Sequence, residues 1–159
     1  MSVRALLLED HARTESTLEE LISRFGGDAR RAFDEFSRTL LSHIYFEEEA
    51  LFPELLSRHA GLSGVVRGLE FEHGAVCKLL AKAGAALEAG DLASATGALE
   101  GVLRILKGNG IQEGHHQRED ETVYVLVEKL DADAVSRIRR KLKGLAVPEG
   151  WVCRSLRGA

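Results

Sequence analysis

Apolar residues recur at alternating intervals of three and four along most of the chain, and no stretch keeps the period of two that is typical of a half-buried strand. Only two prolines, Pro53 and Pro148, are present. This pattern predicts an all-α protein, an up-down-up-down four-helix bundle with a short fifth C-terminal helix and a tail. We expect one domain over residues 1–159, with the bundle at about 2–129 and the last helix and tail at about 131–159.

Turn and capping residues divide the pattern into five helices. The predicted helices cover about 2–24, 28–57, 65–89, 91–129, and from Asp131 or Asp133 to about Lys143. The inward line of the first helix ends at Phe25, and Gly26 and Gly27 stop it. Asp28 and Asp91 are predicted N-caps, because a short carboxylate can accept hydrogen bonds from the free N–H groups of a first turn.

Two of these helices contain residues that disturb a regular helix. Pro53 lies in the final turns of the second helix, where a kink or an early end is expected. Gly108, Gly110 and Gly114 lie inside the fourth helix, between the inward positions Ile105 and His115, and each interior glycine costs about 1 kcal/mol relative to alanine. We expect a kink or a locally widened turn there. Gln112 is predicted to lie on the same inward line as His115, and Trp151 is predicted to pack the tail across the bundle.

Each of the four long helices carries a histidine on its inward line. These histidines are His11, His43, His73 and His115. Two of them are followed four residues later by a glutamate, Glu47 after His43 and Glu119 after His115. Residues four apart lie about 40° apart around a helix axis, so each such pair points the same way. The chain therefore reads H…HxxxE twice, and two antiparallel halves would bring all six side chains to one level inside the bundle.

Four imidazoles and two carboxylates on apolar helix faces need a partner of positive charge, because burying an unpaired carboxylate costs several kcal/mol of free energy. A single buried histidine is usually a hydrogen-bonded core residue, but four at matched depth with two glutamates indicate a metal site. The set suits two ions, each bound by two imidazoles and bridged by both glutamates, with a solvent-derived oxo or hydroxo group as a further bridge. Imidazole and carboxylate suit iron, manganese or zinc, and open positions favour two iron ions, Fe2+ or Fe3+, over manganese or zinc.

These motifs resemble the hemerythrin-like (HHE cation-binding) family over about residues 5–128. The motifs are Asp10-His11, His43-x-x-x-Glu47-Glu48-x-x-Leu51-Phe52-Pro53, Glu72-His73 and His115-x-x-x-Glu119-Asp120-x-x-Val123-Tyr124. The resemblance implies a non-haem di-iron centre that binds or reacts with dioxygen, peroxide or nitric oxide. Cys77 stands where oxygen-carrying hemerythrins have a second histidine in the third helix. The four-histidine pattern is instead similar to bacterial hemerythrin-like proteins and to the di-iron domain of iron–sulfur-cluster repair proteins, which favours reactivity or sensing over reversible oxygen carriage.

The expected function is therefore to bind or react with O2, H2O2 or NO, in detoxification or sensing. The alternative is a module that binds or stores iron, or acts in iron–sulfur repair, without turnover of its own. A structural bundle with a vestigial or zinc-filled site is a third hypothesis. Whether the protein is an enzyme stays open at this point.

Several other side chains are candidates for the metal shell or its support. They are His116, Glu15, Glu70, Cys77, Tyr45 and Tyr124. The alternative role for His116 is that of a flanking or surface residue outside the metal shell, because it points about 100° away from His115. Glu15 and Glu70 would orient an imidazole N–H. Cys77 would be a small buried apolar side chain, and either tyrosine would supply a phenolate to ferric iron.

Charge and cysteine content limit the partners and the compartment. The net charge of −4 argues against a general nucleic-acid binder. No signal peptide or membrane-spanning stretch is seen in the sequence, so no membrane partner is expected. Two cysteines, Cys77 and Cys153, do not make a disulfide framework, and a reducing cytoplasm is the simplest setting. The oligomeric state is left open.

Overall fold

The helices of the protein form four columns followed by a fifth helix and a tail. The computed structural model describes residues 2–24, 28–144 and 146–158, without the side chain of Lys143. Its helices are α1 (Val3–Ser23), α2 (Ala29–Phe46), α3 (Phe52–Leu56), α4 (Ser63–Glu88), α5 (Leu92–Lys107), α6 (His115–Thr122), α7 (Tyr124–Val127) and α8 (Ala132–Lys143). A π-helical turn, Glu47–Leu51, joins α2 to α3, and 3-10 turns lie at Ala60–Leu62 and Arg154–Leu156. The predicted stop of the first helix at Phe25, Gly26 and Gly27 lies outside the described residues.

The columns close into a ring. Helix α1 packs against α2 and α5, and α4 packs against the same two helices. The second column consists of α2, the π-helical turn and α3, while α5, α6 and α7 make up the fourth. In the ranges that the structure describes there is no β-strand, only an isolated bridge between Gly108 and Glu113. The predicted all-α four-helix bundle with a C-terminal helix is confirmed.

Asp91 caps α5 as predicted, and Asp131, one of the two predicted starts of the last helix, caps α8. The carboxylates of Asp91 and Asp131 each accept a hydrogen bond from the main-chain N–H three residues later, at 3.0 and 2.7 Å. These bonds satisfy donors that a first helical turn leaves without an internal partner. Asp28 precedes α2 but makes no capping hydrogen bond with its side chain. The prediction of a capping role for Asp28 is therefore wrong.

The second column deviates from a regular helix earlier than Pro53. The N–H of Phe52 bonds to the carbonyl of Glu47, five residues back, as a π-helix requires. Pro53 has no N–H to donate, and its ring would clash with the carbonyl four residues earlier in a regular α-helix. The widened turn before it lets the column continue, and it begins at the predicted bridging glutamate. Both Glu47 and Glu48 become fully buried there.

The fourth column is broken rather than kinked. Helix α5 ends at Lys107, and Gly108 and Gly110 adopt φ of 79° and 81°, a region that favours glycine. The side-chain oxygen of Asn109 then accepts two main-chain N–H bonds, one of them from Gln112 at 2.8 Å. A continuous fourth helix is therefore a wrong prediction. Gln112, expected on the inward line, is exposed in this loop.

A polar layer divides the apolar core into two clusters. One cluster includes Leu18, Phe36, Leu40, Val76 and Val102, and the other includes Leu7, Phe46, Leu51, Leu69 and Val127. In α1, His11 lies between Leu7 of the second cluster and Leu18 of the first. In α4, His73 likewise separates Leu69 from Val76. The predicted metal ligands therefore lie at the middle of the bundle. In the described part of the chain no helix has the length and apolar character needed to cross a membrane.

The C-terminal tail, residues 146–158, packs across the second column and α4. Trp151 donates a hydrogen bond to Glu49 at 3.1 Å, and its ring meets Tyr45 edge-on at 5.2 Å, so the tail packs through Trp151 as predicted. Cys153 forms a disulfide with Cys77 of α4. The sequence did not predict this bond, because packing of the tail brings together residues that lie 76 positions apart.

Candidate metal site

The structure brings all six predicted ligand residues into one buried layer. They form two groups of four, one made of His11, His43, Glu47 and Glu119, the other of His73, His115 and the same two glutamates. Within each group, one ligand atom from every residue lies within 4.8 Å of the others. Glu47 and Glu119, the inner glutamates, belong to both groups. This is the arrangement that two ions with shared carboxylates require.

The Nε2 atoms of the histidines converge on the inner glutamates. Nε2 of His11 lies 3.2 Å from that of His43, and Nε2 of His73 lies 3.0 Å from that of His115. Each of the four also approaches a glutamate oxygen, at distances between 3.1 and 3.4 Å. Two ring nitrogens in such contact need a positive charge between them, either a proton or a metal ion.

The opposite ring nitrogen of every histidine donates to a carboxylate on another helix. The four pairs are His11 with Asp120 at 3.0 Å, His43 with Asp10 at 2.7 Å, His73 with Glu48 at 3.0 Å and His115 with Glu72 at 2.7 Å. A carboxylate partner requires the proton on Nδ1, and the lone pair of Nε2 then faces the centre of the layer. We call Asp10, Glu48, Glu72 and Asp120 the outer carboxylates.

Sequence reasoning chose other residues for this supporting role. Glu15 bonds to His116 and not to His11, and Glu70 lies 3.6 Å from the guanidinium of Arg154. Within the described residues, neither makes a hydrogen bond to a predicted ligand. The outer carboxylates were visible as motif neighbours, since two of them precede His11 and His73 and two follow Glu47 and Glu119. Their role depends on contacts between helices, which helical periodicity does not predict.

The inner glutamates offer oxygens that no donor satisfies. Among the residues the structure describes, Glu47 Oε2 and both oxygens of Glu119 are buried without a hydrogen-bond partner. Buried polar atoms are nearly always paired, so unpaired oxygens beside converging Nε2 atoms fit a cation. Zinc, iron and manganese accept this donor set of imidazole and carboxylate. The residues present therefore fit the predicted metal group.

The electrostatics also favour positive charge in the layer. Burial alone would lower the pKa of His43, but the charge of Glu47 and the hydrogen bond to Asp10 raise the pKa to about 10. Burial would raise the pKa of Glu119, yet the charges of neighbouring histidines, above all His115 with its Nε2 3.1 Å away, lower it well below its usual range. Without metal, protonated imidazoles thus neutralise the ionised glutamates, and metal ions would replace those protons.

Tyr124 is the additional candidate that reaches the layer. Its fully buried hydroxyl donates to Glu47 Oε1 and lies 2.9 Å from Nε2 of His11. Burial and the charges of Glu47 and Glu119 raise the pKa of the phenol well above its usual value. Tyr45 packs instead against Trp151. The sulfur of Cys77 is bonded to Cys153 and is no free thiolate ligand.

His116 is a buried neighbour of the layer. Its ring stacks on His11 with centroids 3.8 Å apart and planes 8° apart, and its Nδ1 bonds to Glu15 at 2.8 Å. Burial, together with the charge of His11, lowers the pKa of His116 to about 4 despite the bond to Glu15. It therefore packs as a neutral ring against a predicted ligand.

A surface cavity of about 460 Å³ reaches the layer from the side of His43. It is lined by Leu6, Leu7, Asp10, Arg13, Arg38, Thr39, Ser42, His43, Phe46 and Leu142. His43 and Asp10 thus have one face on this cavity. The other predicted ligands are almost completely enclosed, with Glu47 and Glu119 fully buried.

Fold and side-chain chemistry together define a helical bundle with a histidine and carboxylate cluster for cations. The hemerythrin HHE cation binding domain matches residues 2–109 of the chain. The chain belongs to this family. The match contains His11, His43, Glu47 and His73, and it ends before His115 and Glu119. No curated protein and no solved structure gives a match.

Proposed function

We propose that the protein is a non-haem di-iron protein that binds or reacts with dioxygen, hydrogen peroxide or nitric oxide. The supporting observation is the pair of ligand groups that share Glu47 and Glu119. His11 and His43 would bind one ion, His73 and His115 the other, and both glutamates would bridge them. Two imidazoles and two carboxylates leave an iron ion short of a full set of ligands, which leaves room for a small ligand.

The chain's own residues hold this site in shape. The outer carboxylates fix each imidazole with Nε2 facing inward, and Tyr124 fixes one oxygen of Glu47. The apolar clusters above and below keep bulk water away from the layer. Iron bound there would supply Lewis acidity and one-electron redox chemistry. Precise support of this kind is what distinguishes a reactive site from a loosely bound ion.

The cavity at His43 is the route we propose for the small ligand. It meets the layer at the histidine that retains the largest exposed fraction of the six residues, 9%. Ser42→Phe would narrow this cavity without replacing a ligand residue. The expected result is slower reaction of the loaded protein with peroxide or nitric oxide at unchanged iron content. Equal rates would place the entry route elsewhere.

The experiment for the proposed function combines metal content with reactivity. The purified protein is loaded anaerobically with Fe2+, its iron is counted, and its spectrum is recorded before and after oxygen, peroxide or nitric oxide is added. We expect two iron ions per chain, near-ultraviolet charge-transfer bands after oxidation, and consumption of at least one of the three ligands. At most one tightly bound iron per chain would contradict the proposal.

The second candidate is a module that binds or stores iron, or serves iron–sulfur repair, without turnover. The observation in its favour is the enclosure of the layer, since five of the six predicted ligands are at most 3% exposed. Two bound iron ions with no consumption of oxygen, peroxide or nitric oxide would support this candidate over the first.

A further inference from the structure

We propose that the C-terminal tail positions His73, acting through the main-chain N–H of Arg154 and the carboxylate of Glu48, and that the Cys77–Cys153 disulfide anchors the tail for this purpose. The inference rests on the proposed metal site. It assigns a function to a part of the chain that carries none of the predicted ligands.

The contacts form an unbroken path from the tail to the ligand. The N–H of Arg154 donates to Glu48 Oε2 at 2.7 Å, and Glu48 Oε1 accepts from Nδ1 of His73 at 3.0 Å. The guanidinium of Arg154 also donates to the main-chain oxygen of Glu48 at 2.8 Å. Both the carboxylate and the main chain of the π-helical turn are thus held by one tail residue.

Glu48 differs from the other outer carboxylates in its surroundings. Its side chain is fully buried, whereas those of Asp10, Glu72 and Asp120 are 22%, 29% and 29% exposed. Asp10 and Glu72 are held by the nearby arginines Arg13 and Arg118. At Glu48 the main-chain N–H of Arg154, a tail residue, takes the place of solvent or of an arginine side chain as the donor to the carboxylate.

The tail is anchored tightly enough to serve as a fixed donor. Cys153 is bonded to Cys77, and its sulfur lies 3.8 Å from the main-chain oxygen of His73. A Cβ atom on Gly74 would collide with Ser155 Oγ and would lie 3.3 Å from a methyl carbon of Leu156. The tail therefore lies directly against the turn of α4 that carries His73.

A matched pair of substitutions isolates the main-chain donor. Arg154→Ala removes the guanidinium and keeps the N–H, whereas Arg154→Pro removes both. Proline fits the position, because Arg154 begins a 3-10 turn and Cys153 before it has φ of −48° and ψ of 140°. The difference between the two variants therefore reports the hydrogen bond to Glu48.

Zinc is the probe, because it is diamagnetic and binds imidazole and carboxylate. We measure zinc binding by calorimetry and the Nδ1–H signals of 15N-histidine in the zinc-loaded protein. Relative to Arg154→Ala, Arg154→Pro should weaken one of two zinc positions by about 10–100-fold, as loss of an outer hydrogen bond commonly does. It should shift or broaden the signal of His73, with a smaller change at His115, which shares that zinc position, and leave the signals of His11 and His43 unchanged. A general loosening of the fold would instead disturb all four.

Identical zinc affinities and identical His73 signals in the two variants would overturn the inference. If Arg154→Pro does not fold, Cys77→Ser and Cys153→Ser provide the second measurement, since each removes the anchor from one side. Both should weaken the same zinc position and disturb the His73 signal while those of His11 and His43 stay unchanged, and an unchanged His73 signal in both would contradict the inference. Failure of the unsubstituted protein to bind two zinc ions would count against the metal site itself, so the two failures are distinguishable.

Discussion

At the scale of single residues, the direction of the ring nitrogens distinguishes the four histidines from ordinary core histidines. A buried histidine can satisfy both nitrogens with separate partners, whereas here all four Nδ1 atoms bond outward and all four Nε2 atoms meet each other and the inner glutamates. The outer bonds fix both tautomer and ring orientation before any ion arrives. Holding these buried imidazoles and carboxylates close together lowers the stability of the metal-free protein. Because the rings are already fixed, little rearrangement of the side chains is needed when metal binds.

The first prediction concerns the bridging role of Glu119. Glu119→Gln keeps the size of the side chain but removes its charge and one carboxylate oxygen. Because Glu119 is shared by both ligand groups, the variant should lose both ions, falling from two per chain to fewer than one by elemental analysis. Glu121→Gln, on an exposed position of the same helix, is the control and should retain two. Full metal retention in Glu119→Gln would refute the bridging assignment.

The second prediction concerns Tyr124 in the metal-free protein. Tyr124→Phe leaves Glu47 Oε1 buried without its donor, and such a loss costs about 1–3 kcal/mol. Urea unfolding should show a lower free energy of unfolding by that amount. Tyr45→Phe is the matched control, because its hydroxyl makes no hydrogen bond within the described part of the chain, and its effect should stay within about 0.5 kcal/mol. A similar effect of both substitutions would argue against a supporting role for Tyr124.

The convergence of these six side chains on one layer could be predicted at this scale because they lie at helical spacing on faces that are otherwise apolar. The outer carboxylates and the disulfide could not. His73 and Glu48 meet across two columns, and Cys77 meets Cys153 only after the tail has packed. Sequence periodicity describes one helix face at a time, so it carries no information on which side chains of different helices come into contact.

At the scale of elements, two helices that read as continuous are interrupted beside the site. The second column widens into a π-helical turn at Glu47, and the fourth is broken by a loop that ends one residue before His115. Proline and glycine marked both places: a kink or an early end is predicted at Pro53, and a kink or a locally widened turn at the glycines of the fourth column. The extent of each interruption depends on the hydrogen bonds that replace the helical ones, such as those of Asn109, and these form only in the folded loop.

The third prediction tests the close approach that shapes this loop. A Cβ atom on Gly114 would collide with main-chain atoms of Leu106, Lys107 and Gly108. Gly114→Ala should therefore lower the free energy of unfolding by about 1–3 kcal/mol and reduce metal content, since His115 is the next residue. Gly97→Ala, inside α5 with no atom within 4 Å of the new methyl group, should stabilise the protein instead. Stability measured by urea unfolding should thus move in opposite directions in the two variants.

At the scale of the whole molecule, the site joins two similar halves. Asp10-His11 and His43…Glu47-Glu48 in the first half correspond to Glu72-His73 and His115…Glu119-Asp120 in the second. Within each half, the first motif supports the histidine of the second: Asp10 bonds to His43, and Glu72 bonds to His115. Between the halves, Glu48 bonds to His73 and Asp120 to His11. A metal site formed by these residues would therefore connect all four columns of the bundle.

The fourth prediction follows from this connection. A ligand that binds only the folded state stabilises it, by about 2.7 kcal/mol for each independent ion at a free concentration of roughly 100 times its dissociation constant. Two ions in one layer that spans all four columns should therefore add roughly 5 kcal/mol to the free energy of unfolding. Urea unfolding of metal-free and Fe2+-loaded protein under anaerobic conditions measures the difference.

Mg2+ provides the control for that measurement, because it prefers oxygen ligands and retains its waters, so it should give little stabilisation here. Glu119→Gln should lose most of the Fe2+ effect while it folds without metal, because both ions depend on the shared carboxylate. Equal stabilisation of the unsubstituted protein and of Glu119→Gln would mean that iron binds elsewhere on the chain. Equal effects of Fe2+ and Mg2+ would mean that a general cation effect, and not the histidine layer, stabilises the bundle.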